Sequence, residues 1–316
     1  KRLHKKTTGA ERWWSLTGVR QEHIYIAIEF LNTHMGYSIK EICLALKLNR
    51  SSYYKWKKRV QSKSELLNVQ ITEYVKDFYE ESNGVLGYRQ MNIVLNREKS
   101  DELPHRVNVK RVRRLMRILG LKSVIRKKRP DYVKSTPEIT AENVLKRDFK
   151  ATVPFEKWLT DVTEFKYYIG NEVRKLYLSA ILDLYDRRII AYKIGDSNNN
   201  ELVFTTFDEA RSLYPNAKPL FHSDRGFQYT NRVFHQKLLD AGMTQSMSRV
   251  GKCLDNAPME GWWGILKSEM YYLKRFTSRE SLVSSIEDYI HFYNTRRYQK
   301  RLNCMTPCEY YFATVA

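Results

Sequence analysis

The sequence predicts an α/β unit, a mixed five-stranded sheet covered by helices, preceded by all-α regions built on helix-turn-helix patterns. Three observations predict it. Helical spacing with cap residues runs through residues 1–130, the period then switches to short β-branched and aromatic runs, and after the third such run helices and strands alternate. With 316 residues the chain exceeds what one small domain needs. Composition divides it into residues 1–60, 61–137 and 138–316, the middle stretch ending in a linker.

Charge narrows the function classes. Lys and Arg number 55 against 35 Asp and Glu, a net of +20, and the pI is about 9.7. Such a field attracts polyanions, nucleic acid first and an anionic membrane surface second. No run approaches the roughly 20 consecutive apolar residues of a membrane span, and the first thirty residues lack the apolar core of a signal peptide. A cytoplasmic location is therefore expected. Cys43, Cys253, Cys304 and Cys308 offer no second pair or histidine cluster that would complete a zinc site, so they read as reduced thiols.

Residues 1–60 carry thirteen Lys or Arg against four Glu, a net of +9. Ser38-Ile39-Lys40-Glu41 reads as a capping box that starts a helix striped by Ile39, Ile42 and Leu46. Lys47-Leu48-Asn49 makes a turn, and Asn49 caps a second helix, Arg50 to Arg59. This helix-turn-helix pattern would offer Arg50, Ser51, Ser52, Tyr53, Lys55 and Lys57 to a DNA groove. An ordinary helical hairpin with a solvated basic face fits the motif equally well.

From His105 to Pro130 there are eleven Lys or Arg and no acid. Val109, Val112, Leu115, Met116 and Leu119 give a helical stripe that Gly120 ends, so a packed helix shows a basic outer face containing Lys110, Arg111, Arg113, Arg114 and Arg117. A run this unbalanced repels itself without a polyanion, which favours phosphate contacts. The polar stretch from Arg126 to about Pro137 reads as a linker.

The next residues change period. Trp158 to Lys166, Lys175 to Asp183 and Arg188 to Gly195 read as strands joined in hairpins through Gly170-Asn171 and Tyr185-Asp186-Arg187. A helix from Asn200 to Tyr214, a strand Pro219 to Ser223, a helix Asn231 to Ala241, a strand Thr244 to Ser248 and a long helix from near Asp255 follow. That order matches the ribonuclease H-like fold.

Three acids fall where such a sheet would use them. Asp161 lies inside the first strand, where a carboxylate among burial-seeking neighbours needs a partner. Asp224 ends the fourth strand, and Gly226 lets the chain turn sharply behind it. On the last helix Glu260 and Glu269 are nine residues apart, which at about 100° each sets them on opposite faces. Glu260 sits near the helix start, where Asp255 or Asn256 can cap, so it is the choice and Glu269 is expected on the surface. Lys267, seven residues on, shares the Glu260 face and suits a phosphate.

Asp161, Asp224 and Glu260, with thirty-five residues between the last two, resemble the DDE signature of transposases and retroviral integrases. Trp158-Leu159-Thr160-Asp161-Val162-Thr163, His222-Ser223-Asp224-Arg225-Gly226, Asp255-Asn256-Ala257-Pro258-Met259-Glu260, and Tyr293-Asn294 through Arg296-Arg297 to Thr306-Pro307 resemble the bacterial insertion-sequence-three family. The family often has two phenylalanines where Gly261-Trp262-Trp263 stands, and a histidine in place of Gln299.

The resemblance implies an integrase catalytic core that cuts and joins DNA at the terminal repeats of a mobile element. It implies two Mg²⁺ ions per site, with Mn²⁺ as substitute, Asp161 bridging both, Asp224 on one and Glu260 on the other. Double-stranded DNA, both element ends and target, is the implied partner, with a homo-oligomer on paired ends, no membrane, and an upstream reading frame as a source of further DNA-binding segments. A nuclease of the same fold, or a DNA-binding regulator with an inactive core, are the rival readings. Asp183, Asp186 and His222 are expected to be structural and Trp262 and Trp263 core packing. Arg296, Arg297, Lys300 and Arg301 either contact DNA or solvate a tail.

Overall fold

Among the described residues, backbone pairing joins five strands into one sheet. In the computed structural model, which describes residues 18–125, 141–249 and 253–315, β1 (Lys157–Ile169), β2 (Glu172–Asp183) and β3 (Ile189–Gly195) run antiparallel. The β1–β2 hairpin turns at Gly170 and Asn171, where Gly170 takes a φ of 59° that a residue with a Cβ rarely adopts. β4 (Leu220–Ser223) joins β1 in parallel and β5 (Thr244–Met247) joins β4 in parallel, giving the order β3-β2-β1-β4-β5. The parallel pairs need crossovers, and α7 (Asn200–Leu213) and α8 (Arg232–Asp240) supply them.

Alternation then sorts the side chains. Trp158 and Ile181 point to one face, where Phe207 of α7, Phe221 of β4 and Phe234 of α8 pack with them. Leu159, Leu178 and Leu182 point to the other, against Trp262 and Leu266 of α9 (Ala257–Glu269) and Ile286 and Ile290 of α10 (Arg279–Thr295). The result is helix, sheet, helix. Predicted and observed elements agree to within a few residues, and Asn199, Asn231 and Ser278 cap α7, α8 and α10 through their side chains.

Val124–Ala316 is one compact unit and Lys1–Ser123 the other. In the latter, α1 (Gly18–Met35), α2 (Ile39–Ala45) and α3 (Arg50–Lys57) share a core of Tyr25, Ile28, Ile42, Cys43 and Tyr53. Ser38 Oγ accepts from the Glu41 amide at 3.2 Å and Asn49 Oδ1 from the Ser51 amide at 2.9 Å, which fixes both helix starts. Leu46, expected in the stripe, is 47% exposed. α2 stops at Ala45 and Lys47 turns left-handed at φ 55°, so Cys43 is buried instead.

α4 (Lys63–Glu81), α5 (Tyr88–Glu98) and α6 (Val109–Ile118) share a second core through Ile71, Met91, Leu95, Val112, Leu115 and Met116. The basic outer face of α6 is present, with Lys110, Arg113, Arg114 and Arg117 exposed. Arg111 is the exception: it is half-buried and donates to Asn68 Oδ1 and Ser64 O, tying α6 to α4. The basic run from Arg126 and the linker to Pro137 lie outside the described residues.

Two expectations at the end of the chain are corrected. Glu269 is not a surface residue, and Arg297 is not an open contact for DNA. Their side chains are 11% and 15% exposed, Arg297 donates to both Glu269 oxygens at 2.7 and 2.8 Å, and the Tyr289 hydroxyl donates to Oε2 at 2.7 Å. A carboxylate and a guanidinium removed from water together need such geometry. Arg296 is exposed. Glu269→Ala, which strands the Arg297 charge, is expected to cost about 3 kcal/mol of stability, read by urea unfolding. An unchanged midpoint would return Glu269 to the surface.

Candidate active site

Parallel register aligns the first two acids. β1 and β4 pair Trp158 with Phe221 and Leu159 with His222. The same offset carried two residues onward sets Asp161 level with Asp224, just past the end of β4. Residues 159 and 161 point to the α9 face, as do 220, 222 and 224. Both carboxylates therefore enter one cleft, each half-buried.

Hydrogen bonds hold them there. Asp161 Oδ1 accepts from the Val162 amide at 2.8 Å and Oδ2 from Trp263 Nε1 at 3.0 Å. Asp224 Oδ1 accepts from the Gly226 amide at 2.8 Å. A Cβ on Gly226 would stand 2.9 Å from Gln228 Oε1 and 3.0 Å from Asp224 Oδ1, so a larger residue there would have to displace one of those side-chain ends. The hydroxyl of Tyr229, fully buried, lies 3.3 Å from Thr160 Oγ1.

α9 brings the third acid. Pro258 opens the helix and Glu260 lies in its first turn, three residues before Trp263 and so beside it on the helix surface. Neither Asp255 nor Asn256 caps α9 through its side chain, contrary to expectation. Asn256 Nδ2 donates instead to Thr160 O at 3.1 Å, pinning the helix start to the strand that carries Asp161. Asp255 is fully buried and accepts from Asn143 Nδ2, from Arg147 Nε and from the amide, Nε and Nη2 of Arg249. Those arginines, Arg249 foremost, hold its carboxyl well below the usual range.

Electrostatics shows that the acids sense one another. Burial first, then the charge of Asp224, pushes the Asp161 carboxyl up to about 8, the Val162 amide and Trp263 oppose the shift, and Glu260 adds to it. Burial also raises Asp224, against the Gly226 amide. Among the described residues, no three carboxylate, imidazole or thiol groups could hold a metal ion by themselves.

Of the remaining expectations, Asp183 and Asp186 are buried and structural. Asp183 Oδ2 accepts from Trp158 Nε1 and the Phe155 amide, and Asp186 pairs with Arg188 at 2.9 Å. His222 is buried between Ser246 and Ser248, and burial lowers it to about 4. Trp262 is core packing as read, but Trp263 also reaches Asp161. Gln299 is buried, and its backbone N–H donates to Met305 O at 2.9 Å. Lys267 is half-buried, its ammonium 5.1 Å from the centre of the Phe165 ring. Arg50, Ser51, Lys55 and Lys57 are exposed on α3, Lys57 pairing with Glu29 at 3.1 Å.

The sheet order and this acid-lined cleft define the integrase-core class of the ribonuclease H-like fold. Family models agree: Integrase core domain models match residues 151–253 and 260–314, and an HTH-like domain model matches residues 67–129. The last match covers α4–α6, not the α2–α3 turn that carried the helix-turn-helix expectation. InsK of insertion sequence element IS150 from Escherichia coli is 39% identical over 275 residues, 87% of this chain and 93% of that protein. A transposase-like protein of Haemophilus influenzae is 43% identical over 205 residues, 65% of this chain and 93% of that one. The transposase InsF for insertion sequence IS3A of E. coli is 28% identical over 269 residues, 83% of this chain and 89% of that protein. Among solved structures, the HTLV-2 integrase catalytic core domain in complex with magnesium is similar at 19% identity and a TM-score of 0.40, over 51% of this chain and 99% of that one. The chain belongs to the bacterial insertion-sequence-three family of transposases, proteins of DNA transposition. Among the described residues no helix is long and apolar enough to cross a membrane.

The raised Asp161 carboxyl predicts how stability follows pH. Its folded-state value of about 8 exceeds the unfolded value near 3.9, so the folded protein holds a proton that unfolding releases. Stability therefore falls as pH rises from about 4 to about 8. Asp183, raised to about 7, acts in the same direction, while His222 at about 4 opposes it below about 6.5. Asp161→Asn isolates one share: its melting temperature is expected to fall less than the wild type's across that window. Parallel curves would refute the assignment.

Trp263→Phe keeps an aromatic ring, though a smaller one, and removes the N–H that favours the charged form of Asp161. The drop in melting temperature should then extend to higher pH than in the wild type. An unchanged profile would mean that the hydrogen bond carries no weight.

Proposed function

We propose that this transposase cleaves DNA at the ends of its mobile element and joins the freed 3′-hydroxyl to target DNA, using Asp161, Asp224 and Glu260 as ligands of divalent cations. The observation that carries the reading is the alignment of Asp161 with Asp224 on adjacent strands, close enough for each charge to oppose the other. A cation relieves that repulsion. The donor set fits: hard cations prefer carboxylate oxygen, and each Asp161 oxygen has accepted one hydrogen bond and keeps further lone pairs. With water and phosphate oxygens as further ligands, the acids need not close a cage alone.

Two Mg²⁺ ions, or Mn²⁺, would supply activation of the attacking oxygen and stabilisation of the leaving one. The chain's own part is orientation. The Val162 amide and Trp263 fix the Asp161 carboxylate, Gly226 fixes Asp224, and Asn256 holds the start of the helix that carries Glu260. Lys267, on the same helix, would serve as a point charge on a DNA phosphate. We assign DNA-end recognition to residues 1–60 and 61–137, through α3 and the basic face of α6, and chemistry to residues 138–316. A homo-oligomer would hold paired ends.

The test uses purified protein, labelled element ends and Mg²⁺ or Mn²⁺. Wild type is expected to give both cleaved and joined product. Asp161→Asn, Asp224→Asn and Glu260→Gln should each drop both to background while binding the same DNA nearly as well. Cleavage without joining would make the protein a nuclease. Full activity in any of the three variants would remove that residue from the centre.

A further inference from the structure

Beside the acidic cleft lies a group of arginines that the proposed chemistry does not use. The peptide unit joining Ser248 to Arg249 is gripped at both poles: Arg225 Nε donates to Ser248 O at 2.6 Å, and the Arg249 amide donates to Asp255 Oδ2 at 3.0 Å. Arg249 closes back on Asp255 with Nε at 2.9 Å and Nη2 at 3.0 Å, and Arg147 Nε reaches the same carboxylate at 2.6 Å. Three guanidiniums thus converge on one peptide and one carboxylate, leaving two positive charges uncompensated within the cluster.

The anchor is dry and the cations are not. The Asp255 side chain is 0% exposed, whereas those of Arg249 and Arg147 are 52% and 40% exposed. Among the described residues, no partner takes the Nη donors of Arg147 and Arg225 or Nη1 of Arg249. An arginine held at one edge of its fork has already lost the side-chain freedom that binding would otherwise remove. The strand ends place the cluster: Arg225 follows Asp224 directly, and Ser248, which donates its amide to Ser223 O at 2.9 Å, follows β5.

We propose that Arg147, Arg225 and Arg249 form a preorganised cradle for a DNA phosphodiester, set beside Asp224 at the ends of β4 and β5. Cations enter the acidic cleft and backbone phosphate sits on the adjoining basic lip, so the cradle fixes where the strand runs past Asp224. The choice of DNA as the polyanion rests on the proposed function. Element end and target offer the same phosphodiester, and the two arms below separate them.

The full chain is titrated onto an element-end duplex and onto a random duplex in metal-free buffer, between about 50 and about 200 mM salt. Arg225→Gln and Arg147→Gln are each expected to reduce the slope of log affinity against log salt by about 0.9, so each variant loses roughly three- to fourfold less affinity than wild type across that range. Arg147→Gln leaves all the Arg249 bonds to Asp255 in place and serves if Arg225→Gln fails to fold. Arg174→Gln, an exposed arginine paired with Glu172 on the β1–β2 hairpin, should keep the wild-type slope. A change on the end duplex alone assigns the cradle to the element end, and a change on both assigns it to DNA backbone generally. Wild-type slopes with a lowered melting temperature, or an equal change in Arg174→Gln, overturn the cradle. Because no cleavage is read, failure of the catalytic proposal leaves this result standing.

Discussion

Two carboxylates set side by side by strand register are the constraint around which the sheet unit is arranged. Parallel pairing of β1 with β4 leaves Asp161 and Asp224 no choice of neighbour. Like charges in a half-dry cleft repel, and the protein answers with donors aimed at the charged forms: the Val162 and Gly226 amides and the Trp263 indole. These only partly offset burial, since both acids remain raised. A residue of opposite charge would quench the repulsion fully. Among the described residues no ion pair involves either aspartate, whereas Asp255 is matched to its arginines and anchors the fold.

That arrangement separates two kinds of polar anchoring. Asp183, Asp186, Asp255 and Glu269 are buried acids satisfied by arginines, amides or hydroxyls, and they hold strands and helices together. Asp161 and Asp224 receive donors that orient without neutralising. Within a chain of net charge +20, the second kind stands out as carboxyl groups left without a neutralising cation.

Much of this was legible from residues alone. Strand alternation, the Gly170-Asn171 turn and the asparagine caps are local signals, and the elements they predict are present. The placement of Asp161 inside β1, of Asp224 at the end of β4 and of Glu260 near the start of α9 also followed from local reading. What escaped was long-range. Glu269 meets Arg297 twenty-eight residues later, and no periodicity within α9 tells which helix will bury its far face. Asp255 looked like a cap because it precedes a helix, but arginines from elsewhere claimed its oxygens. Apolar character explained why Trp263 is buried, yet not that its ring edge would meet Asp161. Leu46 was misplaced by a stripe that ran one residue past the end of its helix.

The raised Asp161 carboxyl also bears on what selection can do with this fold. A folded state that keeps a carboxylate in a place where it prefers to be neutral is held back from its own stability optimum. Random substitution screened only for survival at high temperature would reward replacing that acid with a neutral residue of the same shape. Under such a screen the acidic cleft would be the first feature lost and the helix-sheet-helix scaffold the last.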